Sequence, residues 1–453
     1  MHRRPRLLRH AALILAAVPL ALSVSSCSGS STSGSSTTTA SGTPGSGTTP
    51  GSTPGTTAGP GSPGFNEPTN PFYAAPDPLP AAAPGTIIRQ EPFPGAPAGA
   101  QAWRVLYHSK GLQDQDIAVS GVIIAPTGPA PAGGRPILSW AHPTTGVVDS
   151  CAPSNVPLFW DLIPGLAGML SAGYVVAATD YEGLGTTGVH PYLVGESEGR
   201  GVLDAARAAR LLPDAGAGTN LLLWGHSQGG QASLFAGQLA PAYAPELHLV
   251  ATAAAAPAGE LAALLALEEE DPTGVVLGSY AVNAYQDVYG PTTPDLQVDQ
   301  VVTPAGAAVI PQVVALCDLT QSAQIQPIVA PVVDTFYVDG GSSKPPWKPL
   351  LDENSPGRVK STVPVLITQG TADTVVIPST TVTLVQGMCG LGDQVELKVY
   401  DGVPHATIGY ASANDVLAWM KDRLQGTPAP VTCGADIPSV SGTTGGSTPG
   451  STP

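Results

Sequence analysis

The chain has 453 residues, a formal charge of −16 and only 11% charged residues. So acidic a chain should not seek nucleic acid or an anionic surface through electrostatics. The length suits one large enzyme with appendages, and an aromatic content of 5% offers no stacking platform for polysaccharide.

Residues 1–26 open with Arg3, Arg4, Arg6 and Arg9, pass through "AALILAAVPLAL" and reach small residues. That order predicts a secretory signal whose apolar core is short for a membrane span. The plain alternative, a soluble helix, would leave an all-round apolar surface uncovered. The run ends "VSSC", which resembles a bacterial lipobox and makes Cys27 the expected lipid anchor to a membrane. Residues 27–64 are almost wholly Ser, Thr, Gly and Pro, cannot bury a core, and read as a disordered tether. The tail 439–453 has the same character. Besides Cys27 there are four cysteines, Cys151, Cys317, Cys389 and Cys433. An even number suits an exported, oxidising setting and leaves three pairings open. None has zinc-finger spacing, so no structural metal is expected.

From residue 65 to 438 strand-like runs alternate with helical ones. "QDIAVSGVIIAP" (115–126), "RPILSWAHPTTG" (135–146), "GYVVAATDYEG" (173–183), "NLLLWG" (220–225), "VPVLITQG" (363–370) and "QVELKVY" (394–400) read as strands. "ESEGRGVLDAARAARLL" (196–212), "QGGQASLFAGQLA" (228–240), "TTVTLVQGMCG" (380–390) and "ANDVLAWMKDRLQ" (413–425) read as helices. This alternation predicts an α/β fold, with a mostly parallel sheet covered on both faces and ligands at the carboxyl ends of its strands. Residues from about 258 to 345 break the rhythm and read as an inserted cap, either a lid or a further structural subdomain.

"LLLWGHSQGG" (221–230) ends a strand abruptly at Ser227, between Gly225 and Gly229. G-x-S-x-G between strand and helix is the nucleophile-elbow pattern, weak alone in a chain with 54 glycines. A serine hydroxyl needs a base, and on this fold the acid and the base follow later, in the order Ser, Asp, His. Asp373 follows the 363–370 strand, and His405 lies in the loop after the 394–400 strand, ahead of the final helix. The competitors are less well placed. Asp393 sits at the wrong end of its strand, His248 stands at a strand start, and His226 should point away from the serine it adjoins. One oxyanion donor should be the backbone N–H of Gln228. The other should come from the loop at Pro143, which has no N–H itself, so near Thr144 or Thr145, or from a side chain such as a protonated Asp149.

These motifs, with "DSCAPS" (149–154), "YAPEL" (243–247) and "VTCGADIP" (431–438), resemble the secretory lipase family of α/β hydrolases, the group that includes the fungal lipase A type. The resemblance runs from about residue 85 to 438. It implies the same triad roles for Ser227, Asp373 and His405, a helical cap over an acyl tunnel, and pairing of Cys151 with Cys317 and Cys389 with Cys433. The middle of the cap, residues 288–309, matches nothing in that pattern.

The expected function is an exported, membrane-tethered serine hydrolase of carboxylic esters. It should be a lipase acting on acylglycerols through an acyl-enzyme, with no metal or organic cofactor. A short-chain carboxylesterase or an acyltransferase would use the same triad. A non-catalytic lipid-binding lipoprotein would gain nothing from keeping it.

Overall fold

The computed structural model describes residues 70–438 apart from 268–270. The expected signal, the Cys27 anchor, the 27–64 tether and the 439–453 tail lie outside the described residues.

Nine described strands form one sheet: β1 (Ile87–Pro92), β2 (Ala100–Lys110), β3 (Asp116–Pro126), β4 (Arg135–Ala141), β5 (Val175–Thr179), β6 (Ala217–His226), β7 (His248–Ala255), β8 (Val365–Gly370) and β9 (Val395–Tyr400). Their spatial order is β1-β2-β3-β5-β4-β6-β7-β8-β9. Pairs from β1 through β3 to β5 are antiparallel, and every pair from β5–β4 to β8–β9 is parallel. The central strands are mostly apolar and largely buried, as strands covered on both faces must be. β5 is buried at every residue, and so is β8.

The described α-helices in chain order are α1 (Leu166–Ser171), α2 (Gly195–Leu211), α3 (Gln228–Tyr243), α4 (Leu261–Leu267), α5 (Pro272–Tyr289), α6 (Pro304–Val314), α7 (Asp318–Val329), α8 (Trp347–Glu353), α9 (Pro378–Gly390) and α10 (His405–Leu424). One face of the sheet packs with alanine-rich α2 and α3, through residues such as Val202, Ala205, Ala232 and Ala236. The small side chains let these helices approach the strands closely. The opposite face packs with α1 and α10, through Met169, Val416 and Trp419 around the Trp140–Trp224 pair. Buried Leu384, Val385 and Met388 of α9 cover β8 and β9.

Between β7 and β8 the chain leaves the sheet and builds α4 to α8. These helices share a core with Val147, Tyr192, Leu193 and Val194 of the sheet's loops. The cap therefore runs past the expected end near 345, through α8 at Glu353. Two of its helices start on sharp sequence signals. Asp271 caps α5 by accepting from the Thr273 N–H, and Thr303 caps α6 by accepting from the Gly306 N–H, each with proline next.

Candidate active site

β6 delivers the site. Leu221, Leu222, Leu223 and Trp224 are fully buried, and the chain turns sharply after His226. Ser227 takes φ 59°, ψ −120°, a conformation that costs a non-glycine residue about 1–3 kcal/mol unless its surroundings enforce it. They do. The Ser227 N–H donates to the Ala255 carbonyl, and its own carbonyl accepts from the N–H groups of Gln231 and Ala258. Both flanking glycines are required by close approach. A Cβ on Gly225 would lie 1.9 Å from the Gly229 carbonyl oxygen, and one on Gly229 would lie 2.0 Å from that of Ala141.

The loops after β8 and β9 bring two more residues to this turn. His405 Nε2 lies 2.9 Å from Ser227 Oγ, and its Nδ1 lies 2.8 Å from Asp373 Oδ2. An Nδ1–H donating to the carboxylate leaves Nε2 free to accept the hydroxyl proton. Asp373 is fixed in turn. Oδ1 accepts from the N–H groups of Val375 and Val376, and Oδ2 from Gln369 Nε2 at 3.1 Å. Thr381 Oγ1 donates to Gln369 Oε1 at 2.6 Å. Sequence reasoning missed Gln369, which looked like the polar end of a buried strand.

His405 is not a loop residue ahead of the helix, as expected. It is the first residue of α10, which begins eight residues before 413. Pro404 stands at the N-cap, while Thr407 and Gly409, both weak helix formers, hide its first turns from a propensity reading. A Cβ on Gly409 would lie a tight 3.2 Å from Pro164 and in ordinary contact, 3.7 Å, with the His226 ring.

Two of the competitors are elsewhere. His248 pairs with Asn220 at the amino end of β7, and Asp393 accepts from the Ser361 N–H. His226 is buried against His405, their ring centroids 4.8 Å apart. Burial, then the charge of His405, push its pKa down to about 3.

Gln228 begins α3, so its backbone N–H is one of the helix's first four, which have no intrahelical acceptor. The loop after β4 packs directly on the elbow through the Ala141 and His142 carbonyls. Beyond that contact, Thr144 Oγ1 is bonded to the Tyr192 hydroxyl at 2.8 Å. Asp149 accepts from the Ser150 N–H. Neither Thr144 nor Asp149 lines the cavity that opens at Ser227 and Gln228. That cavity is narrow, about 40 Å³, and apolar, walled by Leu261 and Leu264 of α4, Leu277 and Tyr285 of α5, Leu351 of α8, and Val376. The expected disulfides are both present, Cys151–Cys317 and Cys389–Cys433. The first joins the β4 loop to the N-cap of α7 in the cap. Among the described residues no group of three or more His, Cys, Asp or Glu is placed to hold a metal.

A family model described as "Secretory lipase" matches residues 162–330, which include the elbow and most of the cap. Over that stretch the chain resembles the secretory lipase family. It is 28% identical to Lipase A of Arthroderma benhamiae over 392 residues, 79% of each chain. It is 29% identical over 208 residues to a Mycobacterium tuberculosis protein named "Probable inactive lipase", covering 42% of this chain and 46% of that one. Among solved structures it resembles Candida antarctica lipase A in its closed state, with TM-score 0.67 and 20% identity over 83% of this chain and 90% of that one. The likeness shows the α/β-hydrolase fold. The family match and these relatives support an ester hydrolase.

Proposed function

We propose that the protein is a serine carboxylic ester hydrolase working through an acyl-enzyme, with Ser227 as nucleophile, His405 as base and acid, and Asp373 holding the imidazole. The observation that carries this reading is the unbroken hydrogen-bonded line from Ser227 Oγ through both His405 nitrogens to Asp373. A merely inherited scaffold would have no reason to keep it. Ser227 Oγ attacks the ester carbonyl as His405 takes its proton, and the leaving alcohol receives that proton from His405. Water then repeats the attack on the acyl-enzyme. The Gln228 N–H faces the developing oxyanion. A second donor comes from the Pro143–Thr145 loop, with the Thr144 N–H the leading choice and Asp149 an outlying one.

The acyl group enters the apolar cavity under the cap. As it stands, a cavity of about 40 Å³ holds water molecules, not a long acyl chain. Cleaving acylglycerols, as a lipase would, therefore requires α4 and α5 to move away, so the cap gates access. The same narrowness favours a second reading, a short-chain carboxylesterase with a fixed cap. The domain layout follows as a 1–26 signal, a 27–64 tether, a 65–438 catalytic domain and a 439–453 tail. Export and a Cys27 lipid anchor would place the enzyme at an outer membrane face.

The test is hydrolysis of esters from acetate to palmitate by residues 65–453, beside Ser227→Ala. The expected result is cleavage by the parent and a loss of about 10⁴-fold or more in kcat in the variant. Equal activity, or none in either protein, would sink the reading. The length profile separates the lipase from the short-chain esterase.

A further inference from the structure

Behind the elbow lies a polar cluster that the triad does not use. Glu198, on the first turns of α2, is completely buried. Its Oε1 accepts from two groups of different standing. One is the N–H of Leu193, at 2.9 Å; the other is Gln228 Nε2, at 2.8 Å. Leu193 holds φ 57°, a strained value for a branched side chain, and it lines the cavity at Ser227. Gln228 is the residue directly after Ser227. Its amide nitrogen also donates to His190 Nε2 at 3.0 Å, and His190 Nδ1 donates to the Glu182 carbonyl. The orientation of the Gln228 amide is thereby settled, because both of its donors are in use.

Reaching back to a preceding N–H is an ordinary way to cap a helix. A cap, however, needs no second partner on the nucleophile turn. Two further atoms are informative. Glu198 Oε2 and Gln228 Oε1 are both buried, and neither has a hydrogen-bond partner among the described residues. An ionised carboxylate with an oxygen buried and unpartnered is costlier than a buried neutral carboxyl, so this burial favours the protonated form.

We propose that Glu198 is a positioning residue in its neutral form, tying the nucleophile elbow to the cavity wall. Loss of its proton then weakens catalysis by putting a negative charge behind the oxyanion site. This rests on the hydrolase reading above. Burial pushes the Glu198 pKa up to about 8, against hydrogen bonds from Gln228 and Leu193 that pull it down. The groups facing it leave it no counter-charge. The phenols of Tyr181, from the loop after β5, and Tyr285, from α5, are both held neutral by burial. His190 is neutral too, its pKa lowered to about 3 by burial. On its own helix, Arg200 is engaged by Glu196 and Asp114, and Glu182 takes the Ser197 hydroxyl. The step is a simple loss: the Glu198 carboxyl gives its proton to hydroxide in solution.

The experiment compares wild type with Glu198→Gln, which keeps the accepting oxygen and can never ionise. Ester hydrolysis is followed from pH 6 to 10, and thermal unfolding from pH 5 to 9. We expect kcat of the wild type to fall about tenfold around pH 8. Glu198→Gln should match it at pH 6.5 and lack that limb. The unfolding temperature of the wild type should fall relative to the variant as pH rises towards 8. An unchanged alkaline limb in Glu198→Gln overturns the proposal. Should the parent cleave no ester, the hydrolase reading fails on its own. The unfolding arm then decides alone, and a difference that does not change with pH overturns the assignment.

Discussion

His226 and His405 share one small volume beside Ser227, yet only one of them is built to carry a proton. His405 has a carboxylate on one side and the hydroxyl on the other. His226 is buried with its Nε2 unpartnered among the described residues, and burial holds it neutral until about pH 3. On the proposed mechanism a neutral ring suits the site, because a second charge would oppose an imidazolium formed at His405. His226→Phe should therefore keep kcat within about tenfold of the parent, while His405→Ala loses about 10⁴-fold or more. Steady-state rates on one ester check both. A loss in His226→Phe as large as that in His405→Ala would reassign the base.

The elbow is an element whose geometry leaves no slack. Gly229→Ala places a methyl 2.0 Å from the Ala141 carbonyl oxygen, so α3 or the β4 loop must shift. Expected are a loss of at least about 100-fold in kcat and about 1–3 kcal/mol of stability. Gly387 is exposed inside α9, and a methyl added there would meet no heavy atom within 4 Å. At that position the same change should stabilise by about 0.5–1 kcal/mol without touching activity. Denaturant unfolding and kcat, measured on both variants, check the contrast. Much of this element order was legible in the sequence, because βα alternation forces loops to the carboxyl ends of strands, where Ser227, Asp373 and His405 meet. β1 and β2 were not. β1 is a half-exposed edge with Arg89, Gln90 and Glu91 in its middle, and the polar end of β2 is buried only because Asp116 and Asp204 satisfy His108 and Ser109. Glu198 was hidden for a related reason. In "ESEGR" it reads as a solvated helix start, and its burial depends on chain segments far away in sequence.

Across the whole molecule, protons act in two opposing senses. Burial holds His142 neutral to about pH 4, and His190 and His226 to about pH 3. Unfolded histidines titrate near pH 6.5, so below that value the unfolded chain binds more protons and stability falls with pH. Buried Glu198, Asp180, Glu182 and Asp204 have raised values. The native state keeps their protons where the unfolded chain releases them, which opposes the histidine effect until the unfolded carboxyls fill around pH 4. Glu246, held down by the Arg207 hydrogen bond, acts with the histidines. Each buried histidine lowers the unfolding free energy by up to about 1.4 kcal/mol per pH unit below pH 6.5, and His142 does so only down to about pH 4. Calorimetry between pH 5 and 4 checks it. His142→Gln should remove one histidine's share of the slope, and an unchanged slope would refute the account. The Cys151–Cys317 bond bears on a different matter, the exchange of parts between relatives. It stitches the cap to the β4 loop, and a Cβ on Gly146 would collide with its sulfur. A cap exchanged between relatives would therefore have to bring a matching stretch from 146 to 151 with it, and on the proposed mechanism that stretch adjoins the oxyanion loop, so acyl selection and catalysis could not be swapped separately.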